Sequence, residues 1–416
     1  MGLVLHIDDS AYSWPLLTLD ESALDHNIAT VAGAFAAAGV EHAPHVKTHM
    51  SRAIWERQAV AGAWGATVAT PAQLRAALGW GVPGAGRRVF LANELVDPRE
   101  IAWLRTALSD GTADEVWVYV DSARGVDLLA DGFAGAAPET AARLGVLVEL
   151  GVPGGRTGVR TVPDAVALAG QVPNAGLRLV GVAGYEGPVA GGTSEEELAA
   201  VGRWCDGLRE VGAQIAGLVD GPVVLSAGGS AFADVVTGHL ALPVRDAAGN
   251  SVPTRVMLRS GAYVTHDHGH YLHADPWTRM GVGPLRPAIT VWASVLSAPE
   301  PGLVICGLGR RDVSFDIDLP TPLVLRSPDD AGRLGEGRDL AGVRVTALND
   351  QHAYLSIDPG VDPAVGPTIE SGVDSAIEPG DVIGFGISHP CTTLDKYRTA
   401  LVTRGDDVVE QITLDF

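Results

Sequence analysis

Apolar positions fall along this chain in two textures. From about residue 43 to residue 275, short β-rich runs alternate with longer helical patterns. The runs are APHV (43–46), ATVA (66–69), RVFLA (88–92), VWVYV (116–120), LGVLVEL (144–150), LRLVGVAGY (177–185), VVLSAGG (223–229) and RVMLRSGAY (255–263). Between them lie SRAIWERQAVAG, PAQLRAALGWG, DPREIAWLRTAL and SEEELAAVGRWCDGLREVG. Several of these start with Ser, Asp or Pro and stop at Gly, the expected capping asymmetry. Strand, helix, strand with parallel crossovers implies helices covering a parallel sheet. Eight such strands predict a closed (β/α)8 TIM-type barrel rather than an open doubly wound sheet. No GxGxxG opens a helix after the first strand, which argues against a dinucleotide site.

Beyond about residue 276 helical periodicity disappears. Turn residues crowd PLRPAIT, DLPTPL, SPDDAG and EPGD, and apolar runs such as AITVWASVLSA, GVRVTALND, AYLSI and DVIGFGI are short. This predicts a β-rich second domain. The expected division is a barrel over residues 20–275 and a β-rich domain over 276–416, with residues 1–19 packing on the latter. The helical pattern SALDHNIATVAGAFAAAG (22–39) precedes the first barrel strand, so LLTL (16–19) belongs elsewhere.

Composition narrows the class. A chain of 416 residues with 46% hydrophobic and 19% charged residues can bury a large core. Its net charge of −21 argues against nucleic acid or an anionic membrane as partner. Cys205, Cys306 and Cys391 are too few, and odd in number, for a disulfide framework; a reducing cytoplasm is expected. MGLVLHIDDSAYSW has no basic n-region and does not read as a signal peptide. No apolar run is long enough to span a membrane.

Candidate chemistry gathers at strand ends, where a barrel of this kind places reactive groups. Lys47, in PHVKTHM (44–50), ends the first run of a lysine-poor chain. A desolvated lysine there has a lowered pKa and offers a neutral amine for Schiff-base chemistry; the plain alternative is a loop lysine at the surface. In LSAGGSAF (225–232), Gly228 and Gly229 allow close backbone approach and Ser230 can cap a following helix. Together they suit a phosphate, or else form an ordinary glycine turn. RSGAYVTHDHGHY (259–271) adds Gly261, Ala262 and Tyr263, GYEG adds Tyr185, and GGRTGVR adds Arg156. His389 and Cys391, in GISHPCTTLDKY (386–397), follow the run VIGFGI. Read as strand positions i and i+2, they share a face. Imidazole and thiolate on one face suit Zn2+, with coordination positions left open; the alternative is a histidine beside an inert cysteine. His266, His268, His270 and His273 have HxH spacing but are not assigned as ligands, and Asp267 is left open. Cys205 and Cys306 read as core.

PHVKTH, GGRTGVR, GYEGP, SAGGSAF, RSGAYVTHDHG and HPCTTLDKY, in this order over most of the chain, resemble the D-serine dehydratase and D-threonine aldolase group. These are fold-type III pyridoxal-phosphate enzymes, relatives of alanine racemase. The resemblance implies a (β/α)8 barrel with a β domain, and a homodimer with its active site near the subunit interface. It implies that Lys47 holds pyridoxal 5'-phosphate as a Schiff base and then removes the α-proton of a D-amino acid. Arg156 and Tyr185 would lie near the pyridine ring. Gly228, Gly229, Ser230, Gly261, Ala262 and Tyr263 would hold the phosphate, and His45 and Thr48 would orient the lysine or the ring substituents. Dehydratases of this group carry His-x-Cys for zinc. The aldolases tend to have aspartate in the second position and a harder metal such as Mn2+. Cys391 therefore favours elimination of the β-hydroxyl to give a 2-oxo acid and ammonia. The rival readings are a metal-dependent D-threonine aldolase, an amino-acid racemase, and a non-catalytic pyridoxal-phosphate carrier, which is usually a lone barrel.

Overall fold

The structure, a computed structural model, describes residues 5–81, 87–358 and 377–416. The chain forms two compact units. One comprises residues 28–261 and 274–284, the other residues up to 27, 262–273 and 285–416.

The first unit is a ring of eight parallel strands. In chain order they are Glu41–His42, Ala66–Val68, Arg88–Glu94, Glu115–Val120, Leu144–Leu150, Leu179–Gly184, Val223–Ala227 and Thr254–Leu258. Each pairs with its sequence neighbour from the second strand to the eighth, and the eighth pairs with the first. Closure between the first two comes from a parallel bridge, His45 with Thr67, and from Thr67 Oγ1 donating to Ala43 O at 2.6 Å. The first strand lies two residues before the expected APHV. Pro44 has no N–H to give a ladder, so beyond His42 the chain makes only scattered bonds, such as His45 N to Ser260 O at 3.4 Å.

Inside the ring, Phe90, Trp117, Tyr119 and Leu147 form the core. Gly145 makes the room: a Cβ there would stand 2.4 Å from Trp117 Cδ1. Helices start where the polar caps sit. Thr70, Ser122, Thr161 and Ser194 each accept a backbone N–H of the first turn. Ser194 and Glu197 complete a capping box.

In the β-rich unit, Leu16–Asp20 pairs antiparallel with Ile289–Glu300 and parallel with Thr399–Arg404. Ile289–Glu300 pairs with Val382–Gly386, which pairs in turn with Thr321–Arg326. Val382–Gly386 is therefore an interior strand, and every residue in it is buried. Residues 262–273 are tied to this sheet by Ala288 N to Thr265 O at 2.8 Å and His268 N to Ile387 O at 3.0 Å. Among the described residues, no helix is long and apolar enough to cross a membrane.

Candidate active site

In the barrel unit, Lys47 sits in a 3-10 turn, Val46–Thr48, just past the first strand. His49 N and Met50 N both donate to Val46 O, at 3.1 and 2.8 Å, and tighten the turn from behind. Gly261 backs it: a Cβ there would lie 2.5 Å from His45 O and 3.1 Å from Thr48 Oγ1. The backbone carrying Lys47 can approach this closely only because position 261 has no side chain. His45 Nδ1 is buried with no hydrogen-bond partner. Burial first, then the charges of Lys47, Arg259 and Arg156, hold its imidazole well below the ordinary range, so it is neutral. Arg156 lies over the Tyr185 ring, 4.6 Å from its centroid.

Gly228 and Gly229 present their N–H groups to one carboxylate. Glu186, fully buried, accepts from Gly228 N at 3.0 Å and from Gly229 N. Gly228 has φ +117°, and a Cβ on Gly229 would meet Tyr185 Cε2 at 2.9 Å. This is an anion nest by geometry, engaged by the chain's own carboxylate. Ser230 is buried but caps nothing: the next helix, Ala233–Leu240, begins from Phe232 without a side-chain cap. Arg259, 4% exposed, donates to Gly184 O at 2.6 Å and to Ser226 Oγ. Ser260 Oγ is buried and unpartnered. Ala262 and Tyr263 lie in the 3-10 turn Ala262–Val264, both buried, and belong to the β-rich unit.

Two more carboxyls stand at barrel strand ends. Burial first, then Glu149, raises Glu94 to about 8, and the two side chains are hydrogen-bonded. No donor from another residue reaches Glu94 Oε1, Glu94 Oε2 or Glu149 Oε2. That bond therefore needs a proton of its own, shared between the pair. Glu186 lies in GYEGP and Arg259 opens RSGAYVTHDHG, but neither sequence signals the contact its side chain makes, and the Glu94–Glu149 pair carries no motif.

Two unpartnered polar atoms, a glycine nest that takes an anion and a lysine on a tightly held turn fit pyridoxal phosphate. Lys47 would take the aldehyde and the nest the phosphate, once Glu186 shares or releases those N–H groups.

In the β-rich unit, His389 and Cys391 do not share a strand face. The strand ends at Gly386, His389 lies in the following loop, and Cys391 opens the helical turn Cys391–Leu394. Pro390 between them precludes a continuing ladder. The side chains still meet: His389 is hydrogen-bonded to Cys391. Its Nδ1 lies 2.7 Å from Asp316 Oδ2. Burial opposes the charge on His389, but Cys391 and Asp316 outweigh it and raise the imidazole to about 9. Imidazole plus thiol, with a carboxylate on the far ring nitrogen, fits Zn2+. Among the described residues no three His, Cys, Asp or Glu side chains converge as a metal cluster.

The histidine-rich segment packs beside this pair. Gly386 leaves room for His268, since a Cβ there would meet His268 Cγ at 2.5 Å. Burial lowers His268 to about 4. Burial, then the His389 and His273 charges, lowers His270. Asp267 Oδ1 accepts from Gly269 N and Tyr271 N at 2.8 and 3.0 Å, while its buried Oδ2 has no partner. Burial raises Asp267 to about 6.

Known proteins share this architecture. Residues 288–403 match the family described as "Putative serine dehydratase domain". Over 401 residues the chain is 26% identical to a D-threonine aldolase from an Arthrobacter species, covering 96% of this chain and 90% of the relative. The crystal structure of D-threonine aldolase from Filomicrobium marinum superposes with a TM-score of 0.74 at 23% identity, covering 100% of this chain and 98% of that one. D-threo-3-hydroxyaspartate dehydratase from a Delftia species superposes with a TM-score of 0.70 at 21% identity, covering 97% of each chain. An alanine racemase-like protein from Idiomarina loihiensis superposes with a TM-score of 0.71 at 16% identity, covering 97% of each chain, so the chain has an alanine racemase-like fold. With that fold, the chain is similar to the D-serine dehydratase and D-threonine aldolase group of pyridoxal-phosphate enzymes.

Proposed function

We propose that this protein is a pyridoxal-phosphate- and zinc-dependent dehydratase of D-β-hydroxy amino acids, of the D-serine ammonia-lyase type. The observation that carries the reading is Lys47 on its glycine-backed turn, with two buried polar atoms unpartnered and an anion nest in the same unit. Relatives named for D-threonine and D-3-hydroxyaspartate support a D-β-hydroxy amino acid as substrate.

Lys47 would hold the cofactor and, once released, take the proton from Cα. Neutral His45 beside it adds no charge that would compete for that proton. Gly228, Gly229 and Ser230 would bind phosphate, and Arg156 with Tyr185 would confine the ring. When bound, the cofactor supplies an electron sink at Cα. His389 and Cys391 would hold a zinc ion whose Lewis acidity makes the β-hydroxyl a viable leaving group. Loss of the Cα proton and the Cβ hydroxide gives an enamine, which water converts to a 2-oxo acid and ammonia.

Metal-dependent retro-aldol cleavage is the second reading. It is favoured by the D-threonine aldolase relative, which matches nearly the whole chain. There the β-hydroxyl loses its proton and the Cα–Cβ bond breaks. Cys391 in place of a harder oxygen ligand supports elimination. A mutant of the 3-hydroxyaspartate dehydratase described in a metal-free form supports a metal in the group. Three free cysteines suit a cytoplasmic enzyme, and the resemblance supports a homodimer. Incubation with D-threonine, cofactor and zinc, followed by proton NMR, separates the readings. 2-Oxobutyrate is the expected product; glycine with acetaldehyde would replace dehydration by aldol cleavage.

A further inference from the structure

We propose that Asp316 is a positioning residue that fixes His389 as a metal ligand; the inference rests on the reading of His389 and Cys391 as that metal's ligands. The two residues lie 73 positions apart, and their contact is made by the fold. His389 Nδ1 stands 2.7 Å from Asp316 Oδ2, and Thr392 Oγ1 donates to Asp316 Oδ1 at 2.8 Å. Both carboxylate oxygens are thus engaged, one by the ring and one by the turn that carries Cys391. The carboxylate can only accept, so Nδ1 keeps its proton and Nε2 is the nitrogen that gives up its own proton to bind a metal. The negative charge behind the ring also strengthens Nε2 as a donor, as in carboxylate–histidine–zinc arrangements.

A second layer holds this geometry. His389 N donates to Ser314 Oγ at 3.2 Å, and Ser314 N donates to Thr393 Oγ1 at 3.0 Å. Ser388 Oγ donates to Asp318 O at 2.7 Å, and Thr393 Oγ1 to His389 O at 3.1 Å. Residues 314–318 are therefore latched to residues 388–393 on either side of the Asp316–His389 contact. An isolated, partly exposed ion pair would stabilise the fold little. Its value lies in where it points the imidazole.

The test is zinc affinity of the metal-stripped, full-length protein, measured against a chromophoric chelator, with folding followed by circular dichroism. Asp316→Ala should weaken zinc binding about 10–100-fold, the range for such outer partners. Asp316→Asn, which keeps an acceptor but not the charge, should weaken it less and decides the matter should the alanine variant misfold. His389→Ala should abolish binding. Loss of zinc in His389→Ala with unchanged affinity in both Asp316 variants would overturn the role of Asp316 alone. Full zinc binding in His389→Ala would overturn the metal assignment itself, and Asp316's role with it.

Discussion

Replacing Glu94 with glutamine should stabilise the protein, and by more as pH rises. Glu94 and Glu149 share a hydrogen bond that needs a proton, and the environment raises Glu94 from 4.5 to about 8. The folded protein therefore binds this proton more tightly than the unfolded chain does. The linkage sign follows: stability from this group is fully present below pH 4.5 and is lost as pH climbs towards 8. At about 1.36 kcal/mol per pH unit, the ceiling is about 5 kcal/mol. Glu94 is only half-buried, so solvent screening brings the expected effect to about 1–2 kcal/mol. Glutamine donates to Glu149 without titrating. Differential scanning calorimetry of both proteins across the window should show little difference at its acid end. The variant should melt higher at the alkaline end, by about 1 °C per kcal/mol for a chain of this length. A gap that is constant with pH, or that favours the wild type as pH rises, would refute the shared proton.

Gly261→Ala places a Cβ 2.5 Å from His45 O; we expect about 1–3 kcal/mol of destabilisation in thermal melts and weakened cofactor retention on dialysis. Glu186→Gln leaves an acceptor for the glycine loop but removes the charge from the nest, and calorimetric titration should show tighter pyridoxal-phosphate binding; equal or weaker binding would mean the phosphate does not use those N–H groups. Chelation should suppress turnover while the visible absorbance of bound cofactor persists, and zinc should restore activity; turnover indifferent to chelator would remove His389 and Cys391 from the reaction.

The barrel was legible because its strands are buried on both faces and read as continuous apolar runs. All seven residues of Leu144–Leu150 and all five of Val223–Ala227 are buried. The first strand was misplaced because Glu41–His42 is short and polar, while the apolar residues after it include Pro44, which cannot pair. Lys47 and the glycines stood out through local sequence. The partners that set their chemistry did not. Glu186 meets the nest across 42 positions and Arg259 meets Gly184 across 75. Asp316 lies in SFDIDL, whose polar–apolar alternation reads as a strand and carries no ligand motif. Strand spacing would put His389 and Cys391 on one face, but the strand stops at Gly386; a loop and a helical turn bring the two together instead.

Lys47 and Lys396 are the only lysines in the sequence, which makes the central claim open to one decisive measurement. The protein is loaded with pyridoxal phosphate, reduced with borohydride, digested and mapped by peptide mass spectrometry. The account predicts a stable cofactor adduct on the peptide containing Lys47. An adduct on Lys396 alone, or no lysine adduct at all, would contradict it.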